Sequence, residues 1–355
     1  MTMFSPRLAI NAGRLLTMGV IALGCAACGN AGTSTTTVGR PGRASVSGSA
    51  TTRTVPATST AASTTAPAAT TTTTATLPGT GRPAITVGDK NYTEQFVLGQ
   101  LYVQALRAQG YTVNINQNIG PTQVTVLALK AGTLSMYPEY LNVFNAAIAG
   151  DRRHFPNVVA AYQAAQQYAI VHGLQLLAPT PFSDTGALAV TDAYAADNRL
   201  RAIGDLRRVA ATMTLGGPTQ FQQDPAGLPA LGSVYGVTPA AFRALAVGDQ
   251  YAALNSDAVQ AADVNTTDGQ LASDDYRLLR DPRGVFGLGN VVPVVSAAAV
   301  AAEGPVFRDT IERVDAMLTL ATMRELNQAV DVSQLSPAAV ARQFLETHGL
   351  LTPAA

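Results

Sequence analysis

The strongest constraint on the fold is a regular alternation of strand and helix patterns that follows a low-complexity N-terminal segment. Residues 85–88 predict a short buried strand, and residues 93–109 carry apolar side chains at mostly helical spacing. A second strand at 111–116, a second helix at 123–130 and a third strand at 134–137 follow. This order predicts an α/β fold with a parallel sheet.

The alternation continues and then returns to an apolar strand. Residues 187–190 begin a second α/β half, and residues 291–295 form an apolar run after it. Two helices, at 307–328 and 337–348, are predicted to close the chain. A chain that leaves one α/β unit, builds another and returns to the first forms two lobes with a cleft between them. Such clefts are common sites for small ligands.

An apolar stretch near the N-terminus predicts export. Residues 15–27 follow two arginines and are too short for a confident membrane span, which is typical of a secretory signal. Cys25 and Cys28 each follow small residues, as the lipidated cysteine of a bacterial lipoprotein does, and the pattern leaves open which one is used. The same CxxC could be a redox motif, but such a motif needs a βαβ context, which the surrounding sequence does not have. We therefore predict a lipoprotein signal peptide over residues 1–28.

Residues 29–83 are predicted to be a disordered tether. They consist mainly of Thr, Ser, Ala, Gly and Pro with almost no aromatic residue, so they bury too little apolar surface to offset the entropy of ordering. The length suits a lipid anchor that holds a folded body clear of the membrane.

Charge and motif content exclude several classes of function. The formal net charge is zero, with 23 basic and 23 acidic residues, so nucleic acid is not an expected partner. The sequence has no GxGxxG after a strand, P-loop, GxSxG or HExxH, and no cysteine follows Cys28. The three histidines are scattered along the chain. We therefore expect a protein that is not an enzyme and that holds no cofactor or metal.

Six short motifs occur in order along the chain: VGDKNYTEQ at 87–95, MYPEY at 136–140, FSDT at 182–185, PAGLP at 225–229, TTDGQ at 266–270 and GNVVP at 289–293. Together they resemble the glycine betaine/choline (osmoprotectant) substrate-binding proteins of ABC importers, the OpuAC/ProX type. The resemblance covers the predicted folded body and implies a type II periplasmic-binding-protein fold. In this fold two α/β lobes, joined by two crossovers, close on a solute by hinge motion.

The resemblance also implies lobe boundaries. Crossovers are expected near 184–187 and 289–292. Lobe I then comprises 84–186 plus 292–355, and lobe II comprises 187–291.

The family's binding residues are carried over by position. Family members hold a quaternary ammonium in a box of aromatic rings and bind a carboxylate tail with Lys, Arg and Thr. Lys90 stands at the carboxylate-binding Lys, Tyr140 at a box ring, and Asp184 beside the box near the first crossover. The full set of expected ligand-binding residues is Lys90, Tyr92, Tyr140, Asp184, Thr185, Asp224, Asn265 and Asn290.

Several positions depart from the family pattern. Those that lack the family's ring, hydroxyl or positive charge are Val143, Gly186, Asp224, Asn265 and Gly289. Asp224 in place of an Arg exchanges attraction for repulsion toward a carboxylate, worth roughly 1 to 4 kcal/mol at about 4 Å. We therefore expect a cationic or polyhydroxylated solute without a carboxylate. Its expected contacts are Tyr140, Asp184, Asp224 and Asn265.

The predicted function is solute binding for an ABC importer of glycine betaine/choline-type osmoprotectants, with a ligand that has diverged. The expected partners are a quaternary ammonium or related polar solute and an ABC permease. The expected location is the outer face of the cytoplasmic membrane, where a monomer is held by its lipid anchor. Two alternatives stay open: a signalling or scaffold lipoprotein that keeps the fold without transport, and a secreted enzyme, which fold alone does not exclude.

Overall fold

A computed structural model describes residues 76–351 of the 355-residue chain. The strands in this range are β1 (Ile85–Gly88), β2 (Val113–Asn116), β3 (Met136–Tyr140), β4 (Leu174–Leu176), β5 (Gly186–Thr191), β6 (Thr214–Gly217), β7 (Ala241–Ala244), β8 (Ala261–Asn265), β9 (Tyr276–Leu279) and β10 (Val291–Ser296). The predicted signal peptide and most of the predicted tether lie outside the described residues.

Eleven α-helices accompany the strands in the same range. They are α1 (Thr93–Ala108), α2 (Thr122–Lys130), α3 (Leu141–Val143), α4 (Val158–Val171), α5 (Asp192–Asp197), α6 (Leu228–Tyr235), α7 (Gln250–Asn255), α8 (Ala297–Glu303), α9 (Pro305–Asp315), α10 (Leu320–Asp331) and α11 (Pro337–Thr347). Within residues 76–351, no helix combines the length and apolar character needed to cross a membrane.

The first sheet has the strand order β2-β1-β3-β10-β4. Strand β1 is parallel to both β2 and β3, as the strand–helix alternation predicts. Strand β10 runs antiparallel to β3 and β4, because it enters this sheet on the return from the second one. We call the body built around this sheet the first lobe.

The second sheet has the strand order β7-β6-β8-β5-β9 and forms the second lobe. Strand β6 is parallel to β7 and β8, whereas β5 is antiparallel to β8 and β9. The carboxyl ends of β6 and β8 therefore lie at one edge of this sheet.

The apolar run of β10 is explained by burial on both faces of the first sheet. Val291 and Val295 pack into the core that contains α1 and α9, while Val292 and Val294 pack into the core that contains α4. Successive strand residues point to opposite faces, so a strand covered on both sides reads as continuously apolar.

The two segments that connect the lobes lie side by side. Ser183 and Asn290 form an antiparallel bridge, and the Asp184 N–H donates to the Gly289 carbonyl at 2.9 Å. The Asn290 amide donates to the carbonyls of Thr180 and Phe182, at 2.9 and 3.0 Å. A Cβ at position 289 would lie 1.6 Å from the Asp184 carbonyl oxygen, so only glycine fits this approach.

Two sequence-based assignments are wrong in detail. The single helix predicted at 307–328 is two helices, because α9 ends at Asp315 and Thr319 caps a new helix by accepting a hydrogen bond from the Thr322 N–H at 3.1 Å. Between them Leu318 turns into the core and is fully buried. Helix α8 is absent from the prediction.

Contact with the first lobe begins before residue 84. The Gly79 N–H donates to the Gln109 carbonyl at 2.9 Å, and the Arg82 guanidinium donates to the Ala302 carbonyl at 2.8 Å. Residues 79–82 of the predicted tether therefore hydrogen-bond to the end of α1 and to α8.

Substituting Gly289→Ala is expected to lower the free energy of unfolding by at least about 2 kcal/mol, because the added Cβ collides with backbone rather than with a movable side chain. Gly232→Ala in α6 is the matched control, since a Cβ there meets nothing within 4 Å and alanine favours the helix. Denaturant unfolding of both variants measures the difference. Equal stability of the two variants would contradict the close approach at the crossovers.

Candidate functional site

A cavity of about 530 Å³ lies between the two lobes. The N-terminus of α1 and the helix α10 line it from the first lobe, and the ends of β6 and β8 line it from the second. Five of its lining residues are carboxylic acids: Glu94, Asp184, Asp263, Asp268 and Asp331. None of the lining residues in the described part of the chain is Lys, Arg or His. We call this space the acidic cavity.

Glu94 is held in the first turn of α1 by residues from two other elements. The Tyr140 hydroxyl donates to Glu94 Oε1 at 2.7 Å, and the Asn327 amide donates to Oε2 at 3.0 Å. The side chain is only 4% exposed, and this burial raises the pKa of the Glu94 carboxyl, while the hydrogen bonds oppose the rise. The helix N-terminus also favours a negative charge at this position.

Asp268 and Asp331 also have partners within the protein. The Tyr251 hydroxyl donates to Asp268 Oδ2 at 2.9 Å, and the Thr93 hydroxyl donates to Asp331 Oδ1 at 2.6 Å. Burial raises the pKa of Asp268, and the hydrogen bond from Tyr251 opposes that rise. Both acids therefore have part of their hydration replaced by protein donors.

The carboxyl groups of Asp263 and Asp184 have fewer hydrogen-bond partners in the protein than those of the other three acids. The Asp263 side chain is partly buried and forms no hydrogen bond or ion pair with residues 76–351. Burial, together with the charges of Asp224 and Asp268, raises the pKa of Asp263 to about 7. Burial, followed by the charge of Glu94, raises the pKa of Asp184 well above its usual range. Asp184 Oδ1 also has no hydrogen-bond partner among the described residues. Carboxylates without partners are costly to bury unless a ligand supplies the missing contacts.

Lys90 lies behind the cavity in a buried ion pair. Its ammonium contacts the carboxylate of Glu139 and donates to the Thr122 hydroxyl at 2.9 Å. The side chains of Lys90 and Glu139 are 6% and 0% exposed. The positive charge that the family resemblance places at Lys90 is therefore balanced inside the first lobe, and Lys90 does not line the acidic cavity.

Two tyrosines stack at the edge of the cavity. The rings of Tyr92 and Tyr140 have centroids 6.0 Å apart at an interplanar angle of 28°. Tyr92 is 38% exposed and lines the cavity, whereas Tyr140 is buried and its ring lies 5.8 Å from the Lys90 ammonium. A Cβ on Gly186 would meet the Phe286 ring at 2.9 Å, so that ring fills the space in front of Gly186.

The structure brings together three of the residues singled out from the sequence. Tyr92, Asp184 and Asn265 all line the acidic cavity. Asp224 instead lines a second cavity of about 580 Å³, which also has residues from both lobes in its lining. Asp224 Oδ1 accepts a hydrogen bond from the Ala226 N–H at 2.8 Å.

The remaining predicted residues lie in the connections between the lobes. The Thr185 N–H donates to the Thr266 hydroxyl at 3.0 Å, and the Asn290 amide holds the first crossover as described above. Neither side chain is part of the acidic cavity lining.

Some residues that line the cavity were not predicted from the sequence. Glu94 and Asp268 lie inside motifs that were recognised, at 87–95 and 266–270, but were not selected as ligands. Asp263 could have been found from the sequence, because it is an acid with apolar neighbours on both sides in strand β8. Asn327 and Asp331 had none, because they lie on α10, far along the chain from the motifs.

Helix α10 joins the second lobe at this cavity. The Asn327 amide, which also contacts Glu94, donates to the Thr267 carbonyl at 2.9 Å. The Arg324 guanidinium donates to the Thr266 carbonyl at 2.8 Å. The cavity is therefore bounded by a third contact between the lobes, in addition to the two crossovers.

Two α/β lobes joined by paired crossovers, with a polar cavity between them, define a type II periplasmic solute-binding protein. The family model described as "Substrate binding domain of ABC-type glycine betaine transport system" (OpuAC) matches residues 83–347, and the chain belongs to this family. It is thus a substrate-binding protein of the ABC transporter type.

Relatives and solved structures agree with this assignment. A "Glycine-betaine-binding protein" of Pseudomonas aeruginosa is 32% identical over 282 residues, which cover 75% of this chain and 88% of the relative. The apo structure of YehZ from Escherichia coli matches with a TM-score of 0.65 at 28% identity, covering 76% of this chain and 99% of that one. A crystal structure described as a glycine betaine/carnitine/choline ABC transporter matches with a TM-score of 0.70 at 20% identity, covering 75% and 99%, and shows the shared fold.

Substituting Asp263→Asn is expected to stabilise the protein at about pH 8 by on the order of 3 kcal/mol. The folded-state pKa of about 7 exceeds the ordinary value of 3.8, so between these values the folded state holds a proton that the unfolded state has lost. Stability therefore falls as pH rises through this window, and the neutral amide removes the loss. At about pH 4 the variant and the parent protein should differ little for this reason.

Chemical denaturation at the two pH values measures the effect. Asp274→Asn, at an exposed loop carboxylate, is the control and should show no such pH dependence. An Asp263→Asn variant that is less stable than the parent protein at the higher pH would contradict the assignment of Asp263 as an uncompensated carboxylate.

Proposed function

We propose that the protein captures a positively charged solute without a carboxylate in the acidic cavity and presents it to an ABC permease. The observation that carries this proposal is the lining of the cavity: five carboxylic acids, with no basic side chain among the described lining residues. Clustered charges of one sign in a cleft concentrate the electrostatic field there and attract ligands of the opposite sign.

The same lining argues against a betaine-type zwitterion. Two like charges about 4 Å apart repel by roughly 4 kcal/mol near a protein surface, so a ligand carboxylate in this space would be opposed by several acids. Lys90 offers no free positive charge, because Glu139 and Thr122 already contact its ammonium. Glycine betaine should therefore bind more weakly than a solute that carries the cation alone.

The N-terminal sequence supports a location at the membrane. The signal-like residues 15–27, which include Cys25, and the following Cys28 support export and lipid attachment at the outer face of the cytoplasmic membrane. We further propose that the protein acts as a monomer and binds its solute without converting it, as expected for the solute-binding component of an importer.

Isothermal titration with choline, carnitine, glycine betaine, a linear polyamine and glucose tests the proposed solute class. Solutes with a net positive charge are expected to bind, and Asp184→Asn should weaken them about tenfold because it removes a carboxyl group that a bound cation would hold in its ionised form. Asp274→Asn should have no effect. If glycine betaine or glucose binds as tightly as the cations and Asp184→Asn changes nothing, the proposed ligand class is wrong.

Cysteine variants test the lipid anchor. Only the cysteine that becomes the N-terminus after cleavage is acylated, so one of the substitutions Cys25→Ala and Cys28→Ala should move the protein from the membrane to the soluble fraction. Mass spectrometry of the N-terminal peptide identifies the modified residue. Retention of an acylated, membrane-bound double variant would refute the anchor.

A further inference from the structure

The acidic cavity contains a carboxylate that the protein leaves without a partner. Asp263 lies in the interior of β8 and lines the cavity. Its side chain makes no hydrogen bond or ion pair with residues 76–351, and the charges that act on it are themselves acidic, those of Asp224 and Asp268. Because Asp263 is only partly exposed, the donors that its ionised carboxylate needs must come from water or from a ligand.

Two further acceptors around the cavity lack partners. Asn327 is only 4% exposed; both of its observed hydrogen bonds use the amide nitrogen, and its Oδ1 accepts none from the described residues. Asp184 Oδ1 likewise accepts no hydrogen bond from the described residues. The hydroxyl donors of Thr93 and Tyr251 are already engaged by Asp331 and Asp268. All charged groups in the lining are therefore acceptors, and the donors that stay available are the neutral side chains of Tyr92, Gln250, Asn265, Thr267 and Gln270.

We infer that the solute's cationic centre carries N–H groups, as a protonated primary or secondary amine or a guanidinium does, and that Asp263 is its main anchor. This inference rests on the proposed function of the acidic cavity as the solute site. It names a residue that the sequence motifs do not contain and a ligand class that can satisfy the unpaired acceptors.

Hydrogen-bonding capacity separates this class from quaternary ammonium solutes. A trimethylammonium group has no N–H to donate, and its methyl groups keep the charge away from a carboxylate oxygen. Such groups are held by the faces of aromatic rings. Here two tyrosines, Tyr92 and Tyr251, line the cavity beside five carboxylic acids. An N–H cation instead forms charge-assisted hydrogen bonds with a carboxylate, which are the stronger kind.

Matched pairs of solutes test the inference. Ethanolamine and choline share a chain and a hydroxyl and differ in three N-methyl groups, and 1,4-diaminobutane can be compared in the same way with its hexamethylated derivative. Isothermal titration of the full chain at about pH 8 is expected to show each N–H compound binding at least about tenfold tighter than its methylated partner, the equivalent of one charge-assisted hydrogen bond.

Variants locate the contact. Asp263→Asn should reduce amine affinity at least about tenfold, whereas Asp274→Asn should leave it unchanged. Circular dichroism and thermal unfolding show that each variant is folded, and Asp263→Asn is expected to be the more stable of the two at this pH.

The outcomes separate this inference from the proposed function. Tighter binding of choline than of ethanolamine, lost in Asp184→Asn, would overturn the N–H inference and leave the cationic-solute proposal standing. Amine binding that is unchanged in Asp263→Asn would overturn the anchor. Absence of binding by both members of both pairs, or tight binding of calcium ions alone, would overturn the inference together with the proposed solute class.

Discussion

The close contact between the two crossover segments determines the geometry of the rest of the structure. The Asp184 backbone lies against Gly289 so closely that no side chain fits between them, and the Asn290 amide ties the first crossover to the start of β10. Beside this contact, the start of α1 and helix α10 face the ends of β6 and β8 across the cavity. Helix α10 adds hydrogen bonds from Arg324 and Asn327 to the second lobe. The acidic cavity is the space that these three contacts leave between the lobes.

Within that space the electrostatics oppose stability and favour binding. Burial raises the pKa values of Glu94, Asp184, Asp263 and Asp268, which means that their charged forms are disfavoured by the empty protein. A bound cation favours the ionised forms and lowers these pKa values, so binding offsets part of this cost. Carboxyl groups with strongly shifted pKa values in a cleft between domains are typical of a functional site. The folded protein tolerates them because two large apolar cores stabilise each lobe.

The family motifs persist in this chain with partly structural roles. Lys90 and Glu139, from two separate motifs, form a buried pair that also fixes the backbone of Tyr140, whose N–H donates to the Glu139 carboxylate at 2.8 Å. The Tyr140 hydroxyl in turn holds Glu94. These residues therefore support Glu94 from inside the first lobe. The groups that line the cavity come largely from the second lobe and from α10.

The sequence by itself determined the α/β class, most of the strands and helices, and the return of the chain through β10. Each of these follows from local periodicity in the sequence. Strand β10 is almost entirely apolar because both of its faces are buried, and α1 repeats apolar residues at helical spacing over four turns. The break between α9 and α10 was missed because a capping threonine inside a long periodic stretch is a weaker signal than the stretch itself. Tertiary structure alone decided which polar side chains converge. Glu94, Asp263 and Asn327 are brought to one cavity by the folding of three distant elements, and whether a carboxylate is paired depends on neighbours that sequence spacing does not specify.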